Sequence, residues 1–522
     1  MNTAMFLSIP ASMFPEQQIL KFEGRRFDYQ TLQDRVNRLA GGLRGLGLGR
    51  EDRLAVLQTN CNEYVEAYYA ASKLGIVFIP LNYRAKLEEL RYMLQDSEAT
   101  ALMVGDRYVE LIDRLRPELT GVKVYISIES SRPGMVPYGE LLAGAEPVEA
   151  EADVADEDLN VLMYTSGTTA LPKGVMLTYG DFSEYVLNSV EPADGTDRGA
   201  FLLAVPLYHI AGLTSIMTNI YTGRRLVMLA QFEPGLWLKT VEGERITHAF
   251  VVPTMLKRIL EHPDFDRTDL SSLQVLSYGA APMPLPVIRR AIERFPKTVG
   301  FINAFGQTET TSTVTVLGPE DHRLEGTPEE VEKKLKRLSS IGRPLPDVEL
   351  KILDEEGNEL PPGQIGEIAI RSARVMKGYW KREAETAQTL AGGWVRTRDM
   401  GWVDEDGYVY LAGRKSDMII RGGENIAPEE VEAVLHTHPA VDEAAVFGIP
   451  DEEWGERVAA AVVLKPGMQA TAAELMEYCR QRLASFKKPE FVFFLESLPR
   501  NPMGKVLKKD LRQMFADRVT SR

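Results

Sequence analysis

The stretch Tyr164–Val175, YTSGTTALPKGV, follows directly on the apolar run Val161–Tyr164 and carries the most informative chemistry in the chain. Ser166, Gly167, Thr168 and Thr169 offer small side chains, hydroxyl donors and exposed backbone N–H groups. Lys173 adds a point charge, and Gly174 lets the backbone come close to a ligand. Such a loop after a strand suits a polyphosphate. It is not a Walker A loop, because Lys173 precedes Gly174 instead of following a glycine and preceding Ser or Thr. The competing reading of the stretch in isolation is a flexible surface turn.

Working outward, short apolar runs alternate with amphipathic stretches. Leu54–Leu57 reads as a strand, Asn62–Leu74 as a helix and Val77–Pro80 as a strand, the texture of a parallel sheet covered by helices. The glycine-dense segment Leu43–Arg50 does not fit GxGxxG and reads as a turn before a strand. Four strand candidates end in polar or glycine-rich loops: Val161–Tyr164, Ala249–Val252, Val275–Tyr278 and Gly300–Asn303, the last running into Phe305–Glu309. Ligands in open α/β sheets sit beyond the carboxyl ends of strands, so these loops are expected to line one crevice. From about Gly342 the pattern becomes antiparallel, with strands at Val348–Leu353, Gly366–Arg371 and Gly407–Leu411 joined by tight turns. A compact segment then begins, with a helix at Pro428–His436, strands at Ala444–Phe447 and Ala459–Leu464, and a helix at Ala472–Leu483. The expected fold class is α/β: a large N-terminal domain (1–414) of parallel and mixed sheets covered by helices, with a β-rich subdomain, and a small mobile α+β C-terminal domain (415–522).

Composition narrows the function classes. A chain of 522 residues exceeds one compact core. Its formal net charge of −15 repels phosphate backbones, which disfavours nucleic acid as a partner and means that any anion site is built locally from cations and N–H groups. Two cysteines, Cys61 and Cys479, are too few for a disulfide framework. The histidines show no metal-ligand spacing, since His436 and His438 do not share a helix face. Met1–Pro15 lacks the basic start and apolar core of a signal peptide, and Phe201–Leu213 is too short to span a bilayer. The expectation is a cytoplasmic protein without an integral membrane segment; a peripheral membrane contact and a homodimer stay open.

Five further motifs join the loop: SYGAAP (Ser277–Pro282), NAFGQTE (Asn303–Glu309), RTRDMG (Arg396–Gly401), GRKSDMIIRGGENI (Gly413–Ile426) and PRNPMGK (Pro499–Lys505). Together the six resemble, in the family's own order, the adenylate-forming (AMP-binding) superfamily of acyl-CoA synthetases, aryl-CoA ligases, luciferases and peptide-synthetase adenylation domains. The resemblance runs from roughly Phe27 to Arg512. It implies an enzyme that activates a carboxylic acid with ATP as an acyl-adenylate. Both reacting partners are anionic, so such catalysis needs cations and oriented donors more than a strong base.

By that resemblance Lys505 bridges the substrate carboxylate and the adenylate phosphate. Glu309 is assigned to Mg²⁺, the hard cation that suits both carboxylate and phosphate, with Thr165 at the metal and phosphate and Thr308 at phosphate. Asp399, an acceptor-only group, suits the ribose hydroxyls, and Arg414 contacts the same sugar; the competing reading is a structural ion pair. Asn303 and the backbone of Gly279, Ala280 and Ala281 read the base edge, next to Ala304, Phe305 and Gly306. Phe305 stands where the family usually has Tyr, which keeps stacking on adenine and loses a hydroxyl. Ala170 and Arg398 each replace a usual glycine.

For the second half-reaction the resemblance implies rotation of the small domain about Arg414–Asp417, with Ser416 at the pivot. Gly422 and Gly423 then line a narrow pantetheine tunnel, and Arg421 meets CoA phosphate or remains an exposed charge. The segment Val205–Leu213 resembles an acyl pocket in which His209 closes the site, against the alternative of a core histidine. Ile210, Gly279, Ala304 and Gly306 make the pocket small-residue-rich and apolar, fitting a fatty or aromatic acid, and no Asp between Phe201 and Met217 is available for a substrate amine. The expected activity is an AMP-forming acid–CoA ligase using ATP, CoA and Mg²⁺; the alternative is a stand-alone enzyme that loads a carrier protein.

Overall fold

The computed structural model describes residues 1–165, 171–421, 424–451, 454–500 and 506–519. Two large sheets dominate. In the first, strands run in the order 343–344, 312–317, 300–307, 275–279, 248–251, 200–203, 225–228, 18–22 and 25–28. Its centre is parallel, and Ser312–Leu317 lies antiparallel on Gly300–Gln307. In the second, the order is 378–379, 173–178, 159–165, 77–80, 53–57, 101–104, 124–127 and 136–137. Here the hairpin Leu159–Thr165/Lys173–Thr178 adds an antiparallel strand to a parallel set.

One apolar core joins both sheets. It contains Val161 and Met163 from one, Leu202, Ala249 and Leu276 from the other, and Tyr68 and Met217 from the helices Asn62–Leu74 and Ile210–Thr222. A second core, including Ile79, Leu102 and Leu162, lies under helices that contribute Leu94 and Ile112. Strands buried on both faces explain the continuous apolar runs of the sequence.

A five-stranded sheet built around Glu349–Leu353, Gly366–Arg371, Trp394–Val403 and Val409–Arg414 has its own core of Ile352, Ile368, Val395 and Val409. Arg414 ends the last of these strands, and Ile419 begins a strand of a different sheet. That sheet centres on the hairpin Val441–Asp451/Gly455–Leu464, with helices Pro428–His436 and Ala472–Arg480 supplying Val431, Leu435 and Leu475 to one core. The helix Lys508–Val519 contributes Leu511 and Phe515 to the other.

The strand beginning at Gly300 runs on to Gln307, past the expected end at Asn303, so Phe305, Gly306 and Gln307 belong to a strand. The reason is the partner Ser312–Leu317, which extends the ladder with a shift between Phe305 and Gly306. Gly306 is required there: an added Cβ would stand 1.7 Å from the Ser312 carbonyl oxygen. Gly306→Ala is therefore expected to lower the melting temperature by several degrees, because a backbone atom cannot step aside; thermal melts check this, and an unchanged variant contradicts the account.

Candidate active site

The site forms where the carboxyl ends of the two large sheets face each other. His248–Val251, Val275–Gly279 and Gly300–Gln307 are neighbours in one sheet, while Leu159–Thr165 belongs to the other. The segment Arg374–Trp380 crosses between them. The Met376 N–H donates to the Glu309 carbonyl at 2.9 Å, the Lys377 N–H to the Met176 carbonyl at 2.9 Å, and the Trp380 N–H to the Gly174 carbonyl at 2.8 Å. Gly378 and Tyr379 pair with Met176 and Val175 as a short antiparallel strand.

This strap brings the charged groups together. Thr165 pairs with Lys173 at the base of the expected phosphate loop. Ser166, Gly167, Thr168, Thr169 and Ala170 lie outside the described residues. The Lys173 side chain is only 5% exposed; its ammonium is ion-paired with Glu385 and sits 5.2 Å from the centre of the Tyr379 ring. The Tyr379 hydroxyl donates to Glu309 Oε1 at 2.9 Å, and burial, followed by the Glu309 carboxylate, raises its pKa. Thr308 and Glu309 occupy a single 3-10 turn after the strand.

That turn is held from beneath. Thr311 and Ser312, immediately after it, have φ of 48° and 79°, left-handed values that cost non-glycine residues free energy. Arg374, with a side chain 1% exposed, donates through Nη1 to the Thr310 carbonyl at 3.2 Å and through Nε to Asp347 at 2.6 Å. Its guanidinium also lies 5.1 Å from the Tyr185 ring centre. A fully buried guanidinium shared among a carboxylate, a carbonyl and a ring fixes the strained turn in one position.

The expected nucleotide residues form a second group. Gly279 pairs with Ala304, and an added Cβ at Gly279 would stand 2.1 Å from the Ala304 carbonyl oxygen. Ala280 has φ of 66° and is exposed, and Ala281 is half-buried beside it. Asn303 donates from its amide to the Ser340 carbonyl at 3.1 Å, which orients that amide. Phe305 packs partly onto the core of the five-stranded sheet. Asp399 faces Arg414 across two paired strands, with Oδ1 2.7 Å from Arg414 Nε, and the Gln307 amide donates to Oδ2. The ion pair weighed from the sequence is thus present, and Gln307, given no role there, is its third member. Arg398, before Asp399, has φ of 60°, a conformation that favours the glycine usual in the family. Its backbone is tied by its N–H to Glu367 Oε1 at 3.0 Å and by its carbonyl to the Lys415 N–H at 2.9 Å.

His209 caps the start of the helix Ile210–Thr222. Thr214 on that helix reaches Ser312 Oγ at 3.4 Å, so the helix lies beside the strand that partners Gly306. The imidazole lies against the Tyr208 ring at 4.1 Å, and its Nε2, sealed from solvent, finds no hydrogen-bond partner among the described residues. Burial, aided by Arg84, pushes the imidazole pKa down to about 3. Ile210, the first helical residue, is half-buried.

Further along the chain, Ser416 is exposed in the turn between the last two sheets, and its carbonyl accepts from Arg512. Arg421 is neither an isolated nor a solvated charge: it pairs with Glu490 at 2.7 Å and lies 4.8 Å from the Trp454 ring centre. Gly422, Gly423 and Lys505 lie outside the described residues. Among the described residues no group of three or more His, Cys, Asp or Glu side chains forms a metal cage, and no helix is long and apolar enough to cross a membrane. Glu309 offers carboxylate oxygens, hard donors of the kind that suit Mg²⁺.

Residues 8–380 match the family described as AMP-binding enzyme, and residues 430–505 match the AMP-binding enzyme C-terminal domain. A feruloyl-CoA synthase from Amycolatopsis sp is 37% identical over 97% of each chain. A fatty acid–[acyl-carrier-protein] ligase, ScoC, from Streptomyces coeruleorubidus is 34% identical, covering 97% of this chain and 95% of its own. Among solved structures, the anthranilate CoA ligase AuaEII in complex with anthranoyl-AMP superposes with a TM-score of 0.89 at 26% identity, covering 100% of this chain and 98% of its own. The chain belongs to the AMP-binding enzyme family.

The state of His209 can be read directly. Because its folded pKa lies below that of a free imidazole, it stays neutral, and protonation opposes folding as the pH falls below the ordinary histidine range. Its ring-proton NMR shifts are expected to stay constant from about pH 8 to about pH 5. A titration midpoint near the free-histidine value would contradict the buried placement.

Proposed function

We propose that the chain is an AMP-forming acid–CoA ligase for a fatty or aromatic carboxylic acid, with ATP and CoA as co-substrates. The observation that carries this reading is the run Lys173–Tyr379–Glu309, which joins the ends of two sheets into one anion-handling surface. In the first step a carboxylate oxygen bonds to the α-phosphorus of ATP and the bond to the β-phosphate oxygen breaks, releasing pyrophosphate. In the second, the CoA sulfur bonds to the acyl carbon and AMP leaves.

Lys173 and the hydroxyls of Thr165 and Thr308 hold the polyphosphate. Glu309, with Thr165, holds Mg²⁺, which when bound offsets phosphate charge. The Tyr379 hydroxyl orients the Glu309 carboxylate. Asp399 takes the ribose hydroxyls while its pairing with Arg414 and Gln307 keeps it oriented. Phe305 and the Gly279–Ala281 backbone bracket adenine. His209, neutral and apolar-flanked, closes the acyl pocket with Ile210, Gly279, Ala304 and Gly306. Lys505 supplies the charge at the reacting carboxylate.

We place the domain boundary at Arg414/Lys415, with residues 1–414 as the adenylation domain and 415–522 as the mobile domain pivoting at Ser416. The change of sheet between Arg414 and Ile419 supports it. The tunnel for pantetheine is assigned to Gly422 and Gly423. Arg421 reaches CoA phosphate only by leaving Glu490, so its part is the weaker assignment. We assign the enzyme to the cytoplasm, where ATP and CoA are supplied; a homodimer is tested by measuring its mass in solution.

Incubation with ATP, Mg²⁺, CoA and a panel of fatty and aromatic acids is expected to yield one or more acyl-CoA thioesters by mass spectrometry. Lys505→Ala is expected to lose thioester formation from the free acid by about a hundredfold or more and to retain it from supplied acyl-adenylate. Transfer to a holo-carrier protein with none to CoA would favour the carrier-loading reading, which the likeness to ScoC supports. Equal loss of both steps in the lysine variant would contradict its assignment.

A further inference from the structure

Lys173 is expected at the polyphosphate, yet its ammonium is spent on Glu385, a residue far along the chain on the helix Glu383–Thr389. The geometry points to Glu385 as a resident stand-in for phosphate: it neutralises Lys173 while the site is vacant, yields it when the polyphosphate binds, and reclaims it as pyrophosphate leaves. The inference rests on the proposed role of Lys173 at the ATP phosphates.

Three features support an exchange over a fixed structural pair. First, the Lys173 side chain is 5% exposed, and an ammonium so buried needs a counter-ion at all times. Between turnovers no phosphate is bound, so the protein must supply that anion itself. Second, Glu385 has a cation besides Lys173. Its other oxygen accepts from Arg382 Nη1 at 3.1 Å, and Arg382 is anchored in turn by the Tyr92 hydroxyl at 3.0 Å. Glu385 is also the more solvated partner, with its side chain 26% exposed. When Lys173 turns to phosphate, Glu385 keeps one guanidinium and access to water, so neither charge is orphaned. Third, the Tyr379 ring lies 5.2 Å from the ammonium and gives it an electron-rich face that serves either partner. The same tyrosine holds Glu309, so the lysine turns beside a ring that also orients the acidic residue assigned to Mg²⁺.

The exchange has a sign that a structural ion pair lacks. Glu385 competes with the incoming anion, so its carboxylate weakens pyrophosphate binding and speeds product release. Glu385→Gln, which keeps the shape and removes the charge, is expected to bind Mg²⁺-pyrophosphate and a non-hydrolysable ATP analogue roughly tenfold more tightly by isothermal calorimetry. In steady state it is expected to lower KM for ATP and the inhibition constant for pyrophosphate together. Unchanged or weaker binding in a variant that still melts cooperatively would overturn the inference, because a merely structural pair predicts weaker binding through a loosened loop. Should Glu385→Gln fail to fold, Glu385→Asp retains the charge but falls short of Lys173, and tighter binding of smaller size is expected; unchanged or weaker binding there overturns the inference as well. In a Lys173→Met background the Glu385→Gln change is expected to leave pyrophosphate affinity unaltered, and a persisting gain would show that Glu385 acts on something other than Lys173. The binding arms contain neither acid nor CoA, so their outcome is independent of thioester formation, the test of the ligase reading.

Discussion

The active surface depends on one strap of backbone, Arg374–Trp380, being hydrogen-bonded to both large sheets at once. The bonds from Lys377 and Trp380 to the Lys173–Thr178 strand, and from Met376 to Glu309, tie the Lys173 strand to the Glu309 turn, and Asn60 bonds to Val205, Leu207, Leu229 and Ala230 tie other strand ends of the two sheets. The shared apolar core brings the sheets together but is non-directional. Directional bonds in the strap convert that proximity into a fixed place for Tyr379, bonded to Glu309 and beside Lys173.

The same region concentrates backbone strain. Ala280, Thr311, Ser312 and Arg398 all hold left-handed conformations within or beside the site motifs. Each costs of order 1–3 kcal/mol and persists because its surroundings leave no alternative. Arg374 under the Thr308–Thr310 turn and the Glu367 carboxylate at Arg398 are two of those restraints. Rigid placement suits a reaction between two anions, where orientation of charge outweighs proton transfer. The polyphosphate must nevertheless leave, and an exchangeable partner for Lys173 reconciles a stiff site with turnover.

Much of the fold was legible in the sequence, since its signals are local. The helix Asn62–Leu74, the strand Val77–Pro80 and the helix Pro428–His436 fall where apolar spacing and proline placement put them. The strand through Phe305–Gln307 was missed because glycine and polar residues mimic a loop and only the distant Ser312–Leu317 partner makes them a ladder. The site was legible as motifs but not as contacts. Asp399 and Arg414 belong to recognisable motifs, yet their pairing follows from strand register. Glu385, Tyr379 and Arg374 carry no spacing signal; they matter through residues far away in the chain, and a buried guanidinium looks like any surface arginine in a sequence. The commitment of Arg421 to Glu490 was hidden for the same reason.

At the centre of the account is the claim that this surface joins a carboxylate to the α-phosphate of ATP before any thiol takes part. Isotope exchange between labelled pyrophosphate and ATP, measured with Mg²⁺ and an acid that yields a thioester but with CoA omitted, tests it most directly. The account predicts exchange that depends on the acid and continues without CoA. Exchange that requires CoA, or none while the thioester still forms, would contradict a free acyl-adenylate intermediate.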